Sequence, residues 1–239
     1  MNIKEVKAGN ILSKSKIYDW TINPYVGCQH GCFYCYARFM KRFSSHNENW
    51  GEFVDVKINA PELLAKEVNK KKKERVWISG VCDPYQPIEE KYGLTRRCLE
   101  ILQASDWPVV IQTKSPLVLR DLELLKKFKA IEVGFSIATG DEEIRKIFEP
   151  KTPPINKRIE ALYKLHQAGI KTYAMIAPLL PKAEGLASDL KGKVDYVIID
   201  RMNYNYADWI YKKYKLEKIE NEEALADLFR EENISCEVV

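Results

Sequence analysis

The chain has 239 residues with an apolar share of 46%, a size near the upper end for one core and a composition that excludes disordered and fibrous classes. Its 38 basic and 34 acidic residues leave a net charge of +4, too mild to mark a nucleic-acid surface by itself. No run of about 18 apolar residues argues for a membrane span, the opening MNIKEVKAGN lacks an apolar signal region, and the six cysteines are expected as reduced thiols in the cytoplasm.

Apolar, β-branched runs recur along the chain, each followed by a helical pattern. The first strand is expected over 20–26, leading into a cysteine-rich segment and a short helix over 37–43. Residues 53–58 alternate like an edge strand, and Pro61 opens a helix to residue 72. Strands follow at 76–81, 109–113 and 131–137, with helices at 92–104, 116–127, 141–147 and 155–168, the last stopped by Gly169. Strands at 172–177 and 194–200 flank a helix at 183–190, and the aromatic, charged stretch 204–239 reads as a helical extension. Six βα steps with nearly continuous apolar strands predict an α/β fold with a parallel sheet covered by helices. No G-x-G-x-x-G follows the first strand, which counts against a dinucleotide-binding fold. No linker demands a second domain, so one domain is expected, with its core over 20–201.

Cys28, Cys32 and Cys35 in GCQHGCFYCYA are spaced C-x3-C-x2-C. Three thiolates on one short segment are a ligand set for a metal or an iron–sulfur cluster. Structural zinc wants four ligands, usually as two C-x2-C pairs, but Cys82, Cys98 and Cys236 are single and scattered. On the residues alone, zinc borrowing Cys82 or His30, or a group of buried thiols, stays open. Three ligands on a four-iron cluster leave one iron free for reaction or substrate.

The spacing, with the aromatic Tyr34 just before the last cysteine, resembles the radical S-adenosylmethionine (SAM) superfamily. Five segments carry a further resemblance to its spore photoproduct lyase-like branch, the DNA repair photolyase-like proteins. They are NPYVGCQHGCFYCYAR (23–38), GVCDPYQPIE (80–89), IQTKS (111–115), GFSIAT (134–139) and FEPKTPPINKRIEAL (148–162), in the family's order. The resemblance spans residues 23–201 and implies a partial (β/α)6 TIM-like barrel, a shape that right-handed βα units also favour. Chemistry in such a barrel gathers at the C-terminal strand ends. Residues 28–35, 82–83, 113–115, 136–138, 177–178 and 200–201 stand there.

The resemblance implies a [4Fe–4S] cluster on Cys28, Cys32 and Cys35, with SAM chelated to the open iron. It also implies reductive cleavage to methionine and a 5′-deoxyadenosyl radical, and an electron donor of the flavodoxin or ferredoxin kind. Tyr36 would lie against adenine, and Lys114 would pair with the SAM carboxylate. Ser136 could bond the ribose or the methionine amino group. Glu149 and Lys151, flanking Pro150, suit ribose hydroxyls or the sulfonium, or equally a salt bridge between helices. Cys82 stands where a thiol could give a hydrogen atom to a substrate radical. The family's lyases use a cysteine near this point but slightly displaced, so a buried thiol or a cofactor contact stays open for Cys82. Cys98 reads as an ordinary buried thiol, and Cys236 as part of a mobile tail.

Three readings of function remain from the sequence. The first is a lyase-like radical SAM enzyme acting on a nucleic-acid lesion or base, and the second is one acting on a peptide or small metabolite. The third is a non-catalytic iron–sulfur or zinc module. Tyr204, Tyr206, Trp209, Tyr211 and Tyr214 with Lys212 and Lys213 could stack bases or simply pack a C-terminal helix.

Overall fold

The computed structural model describes residues 1–239. The chain divides into two compact units, the first comprising Met1–His30, Ala37–Thr113 and Leu117–Glu132, and the second Gly31–Tyr36, Lys114–Pro116 and Val133–Val239.

In the first unit the strands are β1 (Asn2–Val6), β2 (Leu12–Lys14), β3 (Trp20–Ile22), β4 (Tyr25–Val26), β5 (Phe53–Lys57), β6 (Val76–Ile78) and β7 (Val109–Thr113). The helices are α1 (Ala60–Glu67), α2 (Ile88–Tyr92), α3 (Leu94–Ala104) and α4 (Leu122–Leu125). β3, β6 and β7 pair in parallel, Trp20 against Val76 and Val76 against Val109, and their apolar residues are buried except the half-buried Trp77, as in a covered parallel sheet. β2 adds an antiparallel edge to β3. The strand expected over 20–26 divides at Asn23–Pro24. Proline has no N–H for the ladder, and the Asn23 side chain accepts from the Val81 N–H at 3.1 Å. Tyr25 and Val26 therefore leave β3 and pair antiparallel with β5, which also pairs with β1. The strand expected to residue 81 stops at Ile78, because Ser79 takes a left-handed φ of 65°. α1 stops at Glu67, short of the lysine run 70–73, whose like charges disfavour another turn. The short helix expected over 37–43 is present as a 3-10 segment, Tyr36–Phe43.

The second unit contains most of β8 (Ile131–Ser136), then β9 (Lys171–Ile176), β10 (Tyr196–Ile199) and β11 (Ser235–Val238). Its helices are α5 (Glu142–Phe148), α6 (Ile155–Gln167), α7 (Leu186–Leu190), α8 (Asp208–Tyr214) and α9 (Glu222–Glu231). The strands lie in the order β8-β9-β10-β11. Asp141 starts α5 by accepting from the N–H groups of Glu143 and Ile144, each at 2.9 Å. Gly169, at φ +78°, ends the turn after α6. All six expected parallel strands are thus present as β3 and β6–β10. The extension is not only helical: β11 pairs in parallel with β10, Cys236 opposite Val197, so Cys236 belongs to a strand rather than a mobile tail. No helix is long and apolar enough to cross a membrane.

Candidate functional site

The cysteine segment begins in the first unit with Gly27 and Cys28. Gly27 has φ +90°, and a Cβ there would collide with the Phe53 carbonyl oxygen, so only glycine lets this backbone lie against β5. The 80–89 motif then clamps the segment. Gln86, fully buried, accepts from the Gln29 N–H at 2.8 Å and donates to the Gly27 carbonyl at 3.2 Å. Gln29 in turn accepts from the Ile88 N–H at 2.5 Å. Asp83 Oδ1 accepts from the Thr113 hydroxyl at 2.6 Å and the Tyr85 N–H at 2.9 Å. His30 Nε2 faces Asp83 Oδ2 at 3.2 Å, off the line of a hydrogen bond. Asp83 was expected only as a strand-end residue and Gln86 was not singled out in the sequence, although both lie in the motif beside Cys82.

The rest of the segment, Gly31–Tyr36, belongs to the second unit. A turn closes where the Cys35 N–H donates to the Cys32 carbonyl at 3.2 Å, and the Phe33 N–H donates to the Phe148 carbonyl at 3.0 Å. Cys32 and Tyr34 are buried among Ala138, Phe148, Leu180 and Tyr211, and Phe33 packs edge-on to Trp209 with centroids 5.3 Å apart. The Tyr34 hydroxyl donates to Glu149 Oε1. Arg158 Nη2 meets Glu149 Oε2 at 2.6 Å, and Lys114 Nζ stands 3.8 Å from Oε1. Arg158 also donates to the Ser136 carbonyl at 3.1 Å and the Pro153 carbonyl at 2.9 Å. Arg145 holds the same turn by donating to the Glu149 and Thr152 carbonyls at 2.9 and 3.1 Å.

Burial raises the Glu149 carboxyl, but Arg158 and Lys114, with hydrogen bonds from Tyr34 and Arg158, outweigh it and hold the group at about 2, below an ordinary 4.5. A carboxyl lowered by folding stabilises the native state above its unfolded value and loses that contribution as pH falls through its folded value. Stability against urea should therefore fall as pH drops from about 4.5 to about 2. A Glu149→Gln chain should lack that share of the slope, and equal slopes would contradict the assignment. The Cys32 thiol is pushed up to about 12 mainly by burial, while Lys114 and Arg158 pull it down. It stays neutral unless a metal displaces the proton.

The second unit brings together Cys32, Cys35, Lys114, Ser136 and Glu149. Ser136 ends β8 and is buried. Lys114 directly follows β7, mostly buried, with Nζ 5.7 Å from the Tyr34 ring centroid. Tyr36 is 40% exposed and stacks on Tyr204 at 6.4 Å. Lys151 is exposed, so the two residues flanking Pro150 part company: the carboxylate turns inward and the lysine outward. Cys82, in the first unit, packs beside Tyr25, Val54 and Ile88, and its thiol donates to the Tyr25 carbonyl at 3.5 Å. Arg158 was missed in the sequence. All six cysteines are free thiols, and no three His, Cys, Asp or Glu side chains close on one metal position.

Residues 22–183 match the radical SAM superfamily. An uncharacterized protein of Methanocaldococcus jannaschii is 42% identical over 183 residues, 76% of this chain and 69% of that protein. An uncharacterized protein of Mycobacterium bovis is 33% identical over 172 residues, 69% of this chain, and the chain spans about half (51%) of that relative's length. Spore photoproduct lyase of Clostridium acetobutylicum is 23% identical over 160 residues, 64% of this chain and 44% of the lyase. Among solved structures, spore photoproduct lyase complexed with dinucleoside spore photoproduct matches with a TM-score of 0.72 at 18% identity, over 99% of this chain and 81% of that one. A variant of such a lyase has been solved with bound AdoMet. Streptococcus suis SuiB bound to precursor peptide SuiA matches with a TM-score of 0.63 at 17% identity, over 92% of this chain and 48% of its own. At these identities the likenesses show a shared fold, the α/β architecture with a parallel sheet that the sequence led us to expect.

Proposed function

Because the chain belongs to the radical SAM superfamily, we propose that it is an enzyme holding a [4Fe–4S] cluster on Cys28, Cys32 and Cys35, with SAM bound beside it. When bound, these groups would supply reductive cleavage of SAM to methionine and a 5′-deoxyadenosyl radical for hydrogen abstraction, fed by a flavodoxin- or ferredoxin-like donor. The donor set fits such a cluster. Its three cysteines are free thiols on one short segment, a donor set of the kind that iron–sulfur clusters take. In a four-iron cube each thiolate meets its own iron. The superfamily match runs through both compact units, which supports treating them as one catalytic domain.

The observation that carries this reading is the charge set around Glu149: one buried carboxylate faces two cations, Arg158 at 2.6 Å and Lys114 at 3.8 Å. Arg158 satisfies the carboxylate, and the looser Lys114 supplies positive charge for a ligand carboxylate such as that of SAM. Ser136 contributes a hydroxyl at the end of β8, and Tyr36 a ring against adenine, while Lys151 lies outward for a polar part of the ligand. Cys82 is the proposed hydrogen-atom donor, on its place in the 80–89 motif, with its thiol held to the Tyr25 carbonyl. Lys114→Ala should weaken SAM binding about tenfold or more, the scale of one charge-assisted hydrogen bond, with bound iron unchanged. Calorimetric titration of the reconstituted variant with SAM checks this. Unaltered affinity would remove Lys114 from the site.

A nucleic-acid substrate is favoured by the extension. Tyr204, Tyr206, Trp209 and Tyr214 are 36–48% exposed, while Tyr211 alone of the five is buried, packed on Phe148 at 5.1 Å. Tyr36, Tyr204 and Tyr206 form a near-parallel series, with successive centroids 6.4 and 5.6 Å apart, an arrangement suited to stacking bases. The likeness to SuiB keeps a peptide as the second reading. Affinity for single-stranded oligonucleotides that falls steeply with salt would support the first, and salt-independent or absent binding would favour the second.

A further inference from the structure

Arg158 takes no part in SAM binding as proposed, yet its side chain bonds the Pro153 and Ser136 carbonyls, the Thr152 hydroxyl and Glu149. It and Glu149 are each 1% exposed at the side chain and lie 2.6 Å apart. An ion pair this deep carries a desolvation cost that an apolar pair of similar volume would avoid. Its partners suggest what the charges do. Glu149 receives the Tyr34 hydroxyl from the middle of the cysteine segment, and the Thr152 hydroxyl meets its Oε2 at 3.2 Å. Arg158 reaches the carbonyls of Ser136 and Pro153 and the Thr152 hydroxyl. The neighbouring Phe33 N–H is bonded to the Phe148 carbonyl. Lys114 approaches Glu149 from the end of β7.

We infer that Glu149 and Arg158 are positioning residues that set the Cys32–Cys35 turn, Ser136 and Lys114 from one shared carboxylate, and that the Glu149 charge lowers the reduction potential of a cluster held there. The inference rests on the proposed cluster, and it moves Glu149 from ligand binding to support of the ligands. Tyr34 is the tether: its ring packs in the core with Cys32, and its hydroxyl fixes the turn that the two cysteines bracket. Both carboxylate oxygens are engaged by this chain, so neither is directed to a ribose. A buried negative charge near a cluster opposes the arrival of an electron; Arg158 and Lys114 offset the Glu149 charge, so removing it while both cations stay leaves the site more positive. Hydrogen bonding and charge around a ligand set tune potential in this way.

The test uses reconstituted full-length chain and two variants that separate charge from tether. Glu149→Gln should move the cluster midpoint potential, read by EPR-monitored titration, to more positive values. Tyr34→Phe keeps the ion pair, so its potential should match wild type, while iron loss to a chelator should run about tenfold faster for the missing charge-assisted bond. An unshifted potential in Glu149→Gln, even with lowered melting temperature, would reduce the pair to a structural role and overturn the inference. Should Glu149→Gln not fold with Arg158 left unpaired, Tyr34→Phe carries the test, and chelation at the wild-type rate would overturn the tether. Wild type that holds no cluster would sink the proposed function itself, an outcome distinct from both.

Discussion

Cys32→Ala, and likewise Cys28→Ala or Cys35→Ala, is expected to leave the reconstituted chain with background iron and sulfide while the fold survives. Each thiolate would hold its own iron, so no partner can replace a missing one. The fold should survive because the tethers of this segment do not involve sulfur. They are the Tyr34 hydroxyl on Glu149, the Phe33 N–H on the Phe148 carbonyl, and Gln86 across Gly27 and Gln29. Cys98→Ala is the control: its thiol is fully buried on α3, and iron content should match wild type. Cys82→Ala should also retain the cluster, since its thiol bonds to the Tyr25 carbonyl. Iron and sulfide measured per chain decide the matter. Full iron in any of the three would remove that residue from the ligand set, and its loss in Cys82→Ala would revive a four-ligand site.

Gly134→Ala is expected to cost ~1–3 kcal/mol through overpacking alone, with a lowered melting temperature and little soluble yield. Gly134 lies in β8, and a Cβ there would overlap the ring of Tyr173 on β9. That ring cannot give way easily, being 1% exposed and stacked on Tyr196 with centroids 5.4 Å apart. The aromatic ring covers the bare glycine, which is why the strand tolerates a residue of poor strand propensity. Combining Gly134→Ala with Tyr173→Leu should cost less than the sum of the two, since the second change removes the obstacle created for the first. Additive losses would mean that the strand objects to the methyl for another reason.

The parallel core was legible because its strands are apolar runs followed by helical patterns, and all six start within two residues of their expected positions; β8 and β7 match almost to the residue. The departures have local causes. Asn23–Pro24 diverts Tyr25 and Val26 into a second sheet by a side-chain bond that no periodicity encodes. β1 and β11 alternate between half-buried and exposed residues, so their short polar runs gave no apolar signal. For the site, the cysteine spacing was plain, whereas the supports were not. A signal for Arg158 was present: α6 buries Ile155, Arg158, Ala161, Leu162 and Leu165, so the arginine occupies the apolar stripe of an amphipathic helix. A charge at such a position implies a buried partner, here Glu149. Gln86 and Asp83 could be suspected only from their place beside Cys82, because their value lies in bonds to groups far away in sequence, the backbone at Gly27 and Gln29 for Gln86 and the Thr113 hydroxyl for Asp83.

The most direct test of the central claim is anaerobic EPR of the dithionite-reduced, iron- and sulfide-reconstituted chain, recorded without and with SAM, with 5′-deoxyadenosine assayed in the same sample. The account predicts a reduced [4Fe–4S] signal that changes when SAM is added, and deoxyadenosine that accumulates only when both are present. A signal indifferent to SAM, or zinc in place of iron with no deoxyadenosine formed, would contradict it and make the three cysteines a structural site.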